Sequence, residues 1–283
     1  MKSGNKGFST LRKNSVLKYR HEKIYSISIG NHRRRYQGQY MSIQFPFNPL
    51  ERAGEVESQV MKEGKRLYYR FRPAKFYGGI ATGDAVGCSF LCAYCWNYKR
   101  NLNPGKYKDF YSPQEVAARL LVIAQKNFLN LYRLSGAEPM LGDRSFEHVI
   151  EIIKILFRYR PGSPFILETN GFFLGYKPEL IELFKYLNIK VRVSLKGIDE
   201  ISFENISGVE KKYFEYPLIA LRELEKREVI AWPALMGDLF PHKEVLKFEE
   251  FLKDNYTSAR IEIENLKPFP FVVENIKKRN LKL

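Results

Sequence analysis

Residues 87–97 read Gly-Cys-Ser-Phe-Leu-Cys-Ala-Tyr-Cys-Trp-Asn and contain all three cysteines of the 283-residue chain. Cys88, Cys92 and Cys95 are separated by three and by two residues, a C-x3-C-x2-C spacing. Three thiolates this close together on a loop are suited to holding one metal centre. A four-iron cluster normally takes four cysteines, so three leave one iron without a protein ligand and open to a small molecule.

A structural zinc site is the main alternative for this loop. Structural zinc takes four Cys or His ligands. No histidine lies near the loop in sequence, because the four histidines are His21, His32, His148 and His242. A disulfide would leave one cysteine unpaired and gives no scaffold. The loop therefore favours an iron–sulfur cluster, with zinc as the open alternative.

The composition indicates a folded chain with a basic surface. Hydrophobic residues make up 45% of the sequence, enough for a sizeable core, and the net charge is +16. No apolar run reaches the length of a membrane span, and the basic N-terminus lacks the apolar region of a secretory signal. Without a disulfide pattern, we expect a cytoplasmic protein with no membrane partner.

Charge and composition also divide the chain. The first 40 residues carry ten Lys or Arg and one acid, Glu22, which predicts a disordered basic leader. A nucleic-acid-binding arm, a solvated tail, or a leader preceding a true start at Met41 remain open. Basic and aromatic residues alternate from Arg66 to Arg72, which favours an edge strand, with nucleobase stacking as the alternative. The predicted divisions are the leader at 1–40, an N-terminal cover segment at 41–78, a core at 79–265 and a basic C-terminal tail at 266–283.

From Gly79 onward, short apolar runs alternate with amphipathic helical segments. The candidate strands are residues 80–87, 129–135, 164–169, 189–195, 229–235 and 258–264. They are β-branched and apolar, as expected of strands buried on both faces. Helices are expected after the capping signal Ser112-Pro113-Gln114-Glu115 and near 145–158, 178–187, 213–227 and 242–254. This alternation predicts an α/β fold of parallel strands forming a partial (β/α)6 TIM-like barrel, with an open doubly wound sheet as the alternative.

Polar segments follow three of the predicted strands. They are Gly136-Ala137-Glu138-Pro139, Glu168-Thr169-Asn170-Gly171 and Ser194-Leu195-Lys196-Gly197. The carboxyl ends of parallel strands meet at one side of a sheet, and the cysteine loop directly follows the first strand. We therefore expect these segments to face the cysteine loop.

The cysteine loop and these segments resemble the radical S-adenosylmethionine (radical SAM) superfamily over about residues 75–265. In that family, the unique iron of a [4Fe–4S] cluster is chelated by the amino and carboxylate groups of S-adenosylmethionine (SAM). An aromatic residue beside the last cysteine, here Tyr94, belongs to the signature. Gly136 and Glu138 match the "GGE" segment, with alanine in place of the second glycine, and the resemblance implies contact with the SAM amino group.

The two later segments resemble those of glycyl-radical-enzyme activases. Thr169 and Asn170 match their "TNG" segment, which implies contact with the ribose or carboxylate of SAM. Ser194 stands where activases have an aspartate, and Lys196 is implied to pair with the SAM carboxylate. With only three cysteines, no auxiliary cluster is fully cysteine-ligated, so the minimal group resembling the pyruvate formate-lyase activating enzyme fits best.

The resemblance implies a radical SAM enzyme that receives electrons from an acidic reductant such as ferredoxin or flavodoxin. SAM would be cleaved reductively, and the 5′-deoxyadenosyl radical would abstract hydrogen from an unidentified substrate, such as a protein glycyl site. The sequence identifies no catalytic residue. The alternatives are a radical SAM enzyme modifying tRNA or rRNA, suggested by the positive charge, and a non-catalytic zinc-binding nucleic-acid module.

Overall fold

The computed structural model describes residues 43–281, so the predicted basic leader at 1–40 lies outside the described residues. The described strands are β1 (Met61–Lys62), β2 (Lys65–Ala74), β3 (Ile80–Ala85), β4 (Phe110–Tyr111), β5 (Tyr132–Ser135), β6 (Phe165–Thr169), β7 (Ile189–Leu195), β8 (Ala231–Met236) and β9 (Glu262–Glu264). The described α-helices are α1 (Pro49–Val60), α2 (Tyr98–Leu102), α3 (Pro113–Lys126), α4 (Asp143–Tyr159), α5 (Phe172–Tyr176), α6 (Glu200–Ser207), α7 (Glu215–Lys226), α8 (His242–Asn255) and α9 (Pro270–Lys278). Short 3₁₀ helices cover Phe76–Gly78, Pro104–Lys106, Pro178–Tyr186, Lys211–Tyr213 and Gly237–Leu239.

These strands form one sheet in the order β1-β2-β3-β5-β6-β7-β8-β9, with β4 paired to β2. Strands β3 and β5 to β9 run parallel, whereas β2 is antiparallel to β3. The register places Tyr132 beside Phe165, and Phe165 beside Ile189. Within residues 43–281, β9 pairs only with β8, so the sheet is not closed. The predicted α/β fold with a partial barrel of parallel strands is confirmed.

The local signals in the sequence explain most elements. Helix α3 begins at a capping box: the Ser112 hydroxyl accepts from the Glu115 N–H at 3.2 Å, and the Glu115 carboxylate accepts from the Ser112 N–H at 2.7 Å. The helix expected at 178–187 is instead a 3₁₀ helix over Pro178–Tyr186. Lys177 offers it no side-chain cap, and its turns close through tighter bonds, such as Leu180 N–H to the Lys177 carbonyl at 3.2 Å.

The two faces of the sheet differ in character. One face packs against the helices through fully buried side chains such as Leu134, Leu167 and Val191. The other, concave face carries polar or charged residues at many of the alternate strand positions, together with a few apolar ones such as Ile166 and Trp232. The polar or charged residues are Thr82, Asp84, Arg133, Ser135, Glu168, Arg192, Ser194, Glu262 and Glu264. The expectation of strands that are apolar on both faces is therefore wrong, because the alternation of side chains along each strand separates an apolar from a polar set.

The N-terminal cover segment forms α1, β1 and β2. Strand β2 pairs with β3 on one side and with β1 and β4 on the other, so the expectation of an edge strand is wrong. Arg66 on β2 is fully buried. Its Nη2 donates to the carbonyls of Glu138 at 2.7 Å and of Val86 at 3.4 Å, which ties the cover segment to the carboxyl ends of β3 and β5.

The segment predicted as a basic C-terminal tail is helical over Pro270–Lys278. Val272 and Ile276 of this helix are buried and form a small cluster with Ala93 of the cysteine loop. The C-terminal helix thus packs directly beneath the candidate site. Among the helices of residues 43–281, none has both the length and the apolar character needed to cross a membrane.

Candidate functional site

The cysteine loop, residues 87–97, leaves the carboxyl end of β3 through a tight turn. Gly87 has a φ of 92°, and a Cβ at this position would lie 2.7 Å from Val56 and 2.9 Å from Val60 of α1. Both the backbone conformation and the close approach of α1 therefore require glycine. Farther along, the Leu91 and Ala93 N–H groups donate to carbonyls at the end of α6, at 3.0 and 2.8 Å, which fixes the loop on its far side.

The three cysteines lie close together on this loop. Cys92 is buried, and Cys88 and Cys95 are half-buried. Burial raises the pKa of Cys88 to about 12 and the pKa values of Cys92 and Cys95 to about 11, and each thiol is near enough to another for its charge to add to this rise. Three thiolates at such a place need a cation to stabilise them.

The loop and the helix that follows it, α2, provide hydrogen-bond donors for two of the sulfurs. The Phe90 N–H donates to Cys88 Sγ at 3.4 Å, and the Asn101 amide donates to Cys95 Sγ at 3.8 Å. In residues 43–281, no three His, Cys, Asp or Glu side chains converge where one metal ion could bind. Hydrogen bonds to the sulfurs are among the features that tune iron–sulfur clusters, so these two donors fit a cluster held by the loop.

A second loop, after β5, is joined to the cysteine loop through Gly136. The Asn97 side-chain amide donates to the Gly136 carbonyl. Gly136 has a φ of 83°, and a Cβ there would lie 3.2 Å from the Ala85 carbonyl oxygen and from Asp84 Cβ. The turn therefore needs glycine, which agrees with the match of this segment to the family pattern.

Glu138 of the same loop is buried, and its carboxylate is occupied by protein donors. It accepts from the Thr169 hydroxyl at 2.7 Å, from the Asn170 N–H at 2.7 Å and from the Met140 N–H at 3.2 Å. Burial raises the pKa of Glu138 to about 7, against the lowering effect of these hydrogen bonds. The carboxylate thus joins the loops after β5 and β6, and direct contact between Glu138 and SAM stays a prediction.

Thr169 and Asn170, at the end of β6, are also buried. The Asn170 amide donates to Ser89 Oγ at 3.1 Å, and its carbonyl oxygen accepts from the Phe172 N–H at 2.9 Å at the start of α5. The structure therefore connects the three loops after β3, β5 and β6 through side chains that the sequence patterns single out.

Lys196 and Ser194, at the end of β7, have different surroundings. The Lys196 ammonium lies 5.5 Å from the centre of the Tyr94 ring. Burial alone would lower the pKa of Lys196. The nearby Tyr94, Cys92 and Glu264 raise it by more than burial lowers it, so the net shift of the pKa is upward. Lys196 thus remains a cation beside the cysteine loop. Ser194 instead accepts from Arg192 Nη1 at 3.2 Å, within the charged row of the concave face.

That charged row is the part of the site that the sequence patterns missed. Arg133 Nη1 lies 2.5 Å from a Glu168 oxygen. Arg192 bridges two acids, with Nε 3.0 Å from Glu262 and Nη2 3.0 Å from Glu264. The sequence did contain a signal for this row, because charged residues such as Glu262 and Glu264 stand at alternate positions of a strand. Trp232 joins this row, since its indole N–H donates to Glu262 at 2.5 Å.

Several known proteins are similar to parts of the chain. Residues of the chain match the GTP 3′,8-cyclase of Microcystis aeruginosa (strain NIES-843 / IAM M-2473) at 27% identity over 125 residues, which are 43% of this chain and 35% of the relative. The GTP 3′,8-cyclase of Nostoc punctiforme (strain ATCC 29133 / PCC 73102) matches at 26% over 127 residues, with the same two coverages. The match thus spans about a third of the length of these curated relatives. They lend no support to the activase-like subgroup, which stays a prediction.

One solved structure shows a low overall similarity. The cobalamin-dependent S-adenosylmethionine radical enzyme OxsB, with aqua-cobalamin bound, superposes with a TM-score of 0.46 at 12% identity, over 71% of this chain and 36% of OxsB. The form that also contains S-adenosylmethionine gives the same values.

The family comparison covers more of the chain. The profile of the Radical SAM superfamily matches residues 84–253, which include the cysteine loop and the strand ends that face it. Members of this family use the [4Fe–4S] cluster and SAM that the cysteine loop predicts. Since the match covers more than half of the sequence, the chain belongs to the radical SAM superfamily.

Proposed function

We propose that the chain is a radical SAM enzyme whose Cys88, Cys92 and Cys95 hold a [4Fe–4S] cluster. When bound, the cluster supplies the electron for reductive cleavage of SAM, and the resulting 5′-deoxyadenosyl radical takes a hydrogen atom from the substrate. One observation carries the proposal. The three neighbouring cysteines lie on a loop that Asn97 and Asn170 hydrogen-bond to the loops after β5 and β6.

The chain's own residues would position SAM and exclude water. Lys196 is a partly buried cation beside Tyr94, suited to pairing with the SAM carboxylate. Glu138 holds Thr169 and Asn170 in place through short hydrogen bonds, so we assign it a positioning role in addition to any contact with the SAM amino group. Phe90 of the loop and Phe172 of α5 are buried and pack against each other, which shields this side of the loop from solvent.

Anaerobic reconstitution tests this proposal. We expect about four irons with inorganic sulfide per chain, and formation of 5′-deoxyadenosine when SAM and dithionite are added. Replacing Cys88, Cys92 or Cys95 singly by alanine should abolish both the cluster absorbance and 5′-deoxyadenosine formation. Stoichiometric zinc in place of iron, or full turnover by a triple alanine variant, would contradict the proposal and favour the zinc-binding alternative.

The concave face is the proposed place of the substrate. Its ion pairs, Arg133–Glu168 and Arg192–Glu262, line the sheet in front of the strand ends that carry the site. Such a face suits a polar, charged substrate, because charged groups provide directed hydrogen bonds for positioning. The relatives' name, GTP 3′,8-cyclase, points in the same direction for those proteins. Hydrogen abstraction from a protein glycyl site remains the finer proposal that the activase-like segments support.

Modification of tRNA or rRNA is the second candidate, because the net charge is +16 and ten basic residues lie in the first 40. A variant that starts at Met41 separates the two. If it cleaves SAM normally but loses turnover on transcripts that the full chain modifies, the leader binds substrate and the nucleic-acid function gains support. Unchanged turnover on its substrate would count against this second candidate.

A further inference from the structure

Two arginines of β2 share one buried carboxylate on the concave face. Arg70 Nε donates to Asp84 Oδ2 at 2.7 Å, and Arg72 Nε donates to the same oxygen at 2.8 Å. Asp84 is fully buried, whereas the Arg70 side chain is 45% exposed. Two guanidinium groups facing one carboxylate leave one positive charge without a counterpart in this group.

A third arginine comes from the segment that follows the cysteine loop. The guanidinium carbon of Arg100 lies 4.5 Å from the centre of the Tyr69 ring, and that of Arg70 lies 5.4 Å from the same centre. Burial raises the pKa of Tyr69 to about 12, with Asp84 adding to the rise and Arg70, Arg100 and Arg72 opposing it. All four charges therefore act at the Tyr69 hydroxyl, and their sum is a net charge of about +2. We call Arg70, Arg72 and Arg100 the arginine corner.

Two donors at the arginine corner have no acceptor. The Tyr69 hydroxyl and Arg100 Nε are buried, and neither donates a hydrogen bond to an acceptor among the described residues. Buried donors without an acceptor are costly and are normally satisfied by water or by a ligand. The other concave arginines differ, since Arg133 is paired with Glu168 and Arg192 with two acids. The charge and the unmet donors thus coincide at one end of the face.

The arginine corner also borders the proposed reaction site. A Cβ on Gly136 would lie 3.3 Å from Tyr69 Cε1, so the ring touches the turn that Asn97 of the cysteine loop binds. Arg100 Nη1 donates to the Asn97 side-chain oxygen at 3.0 Å. An anion at the arginine corner would therefore be held next to the SAM-binding loops without taking a cysteine or Lys196.

We propose that the arginine corner binds a phosphate group of the substrate. Planar guanidinium forks match the oxygens of a phosphate, and a phosphate ester carries a charge of about −1.5 to −2, which balances the corner. The Tyr69 hydroxyl and Arg100 Nε supply the two unmet donors. The assignment of this anion to the substrate rests on the proposed function, whereas the binding of phosphate does not.

Calorimetry with inorganic pyrophosphate tests the site in the reconstituted, cluster-loaded protein at 150 mM salt, with acetate as the carboxylate probe. Wild-type protein should bind pyrophosphate saturably and acetate far more weakly. Arg70→Gln should weaken pyrophosphate binding about tenfold or more, because one charged partner is lost. Arg119→Gln is the matched control: Arg119 also stacks on an aromatic ring, 5.4 Å from Phe71, but on helix α3 behind the sheet. It should bind pyrophosphate like the wild type.

Three results would overturn the inference. The first is that the wild type shows no saturable binding of pyrophosphate. The second is that Arg70→Gln and Arg119→Gln lose pyrophosphate affinity to the same extent. The third is that Arg70→Gln loses affinity for SAM while its pyrophosphate binding is unchanged. The last result would assign the arginine corner to SAM. If the protein fails to assemble iron and sulfide but still binds pyrophosphate through Arg70, the phosphate site stands and the proposed function falls.

Discussion

Replacement of Glu138 by alanine gives the sharpest test of how the site is held together. The Glu138 carboxylate accepts hydrogen bonds from the Thr169 hydroxyl, the Asn170 N–H and the Met140 N–H, and all of them are buried. In Glu138→Ala, these donors lose their acceptor. Each unsatisfied buried donor costs about 1–3 kcal/mol, and water entering the vacated space recovers part of this. We expect a loss of about 3 kcal/mol in the free energy of unfolding.

The same change should affect SAM. With its acceptor gone, the loop at Thr169 and Asn170 is no longer fixed against the loop after β5, and SAM affinity should fall about ten- to a hundredfold. Urea denaturation measures the free energy of unfolding, and calorimetry measures the affinity for SAM. Glu138→Gln keeps one acceptor oxygen but places an amide N–H₂ opposite a donor, so its losses should be intermediate.

Glu147→Ala is the control, since Glu147 is exposed on α4. An exposed substitution of this kind should change the free energy of unfolding by less than about 0.5 kcal/mol. The reasoning is refuted if Glu138→Ala and Glu147→Ala match each other in both stability and SAM affinity. If only stability differs, Glu138 is a structural residue without influence on SAM.

Three further predictions use other parts of the chain. Burial lowers the pKa of His148 from 6.5 to about 4, and its ring lies between the Tyr68 hydroxyl at 3.2 Å and the Gly64 carbonyl at 3.1 Å. The free energy of unfolding should therefore fall by about 3 kcal/mol as the pH is lowered from 6.5 to 4, because the unfolded chain takes up the proton first. This loss should be absent in His148→Gln when unfolding is measured across the same pH range. Gly136→Ala should lower the free energy of unfolding by more than about 1 kcal/mol and weaken SAM binding, because φ is 83° and three atoms lie within 3.3 Å of the new Cβ. Gly162→Ala is the control, since the space around its new Cβ is open, and it should change neither quantity. Denaturation curves and SAM titrations of the two variants make the comparison. Lys99 lies on the exposed side of α2, and Lys99→Glu should slow SAM cleavage several-fold with ferredoxin or flavodoxin at low salt but not with dithionite. Lys154→Glu on α4 is the control and should slow neither reaction. Equal slowing of the dithionite reaction by Lys99→Glu would argue against docking of the electron donor at Lys99.

The structure reduces the number of basic residues that are accessible for docking of an acidic reductant. The sequence places Lys99, Arg100, Lys106 and Lys108 together after the cysteines. Arg100 is partly buried, stacks on Tyr69 and donates to Asn97, so it belongs to the interior rather than to an exposed docking surface. Lys99 and Lys108 are exposed, so we predict that the reductant docks at these two residues rather than at Arg100.

The sequence by itself determined the features that depend on neighbouring residues. The cysteine spacing, the capping box at Ser112 and the alternation of apolar runs with amphipathic helices are all local. The capping box begins α3, and the alternation corresponds to the observed strands and helices except at 178–187, where the helix is a 3₁₀ helix. Local signals succeed because a cap, a helix period or a ligand spacing is decided within a few residues of the chain. The order of the parallel strands follows from them, since consecutive β/α units place their strands side by side.

Only the tertiary structure decided which side chains meet across the sheet. Arg70 and Arg72 gave an interleaved basic and aromatic pattern in sequence, but the antiparallel register of β2 and β3 places both on Asp84. Arg192 meets Glu262 seventy residues away because β7, β8 and β9 lie side by side. The Glu138 carboxylate also accepts hydrogen bonds from Thr169 and Asn170, which lie on a different loop about thirty residues later in the sequence. Such contacts depend on strand register and on the burial of charge, which arise only when distant segments pack together and leave each buried polar group to find a partner.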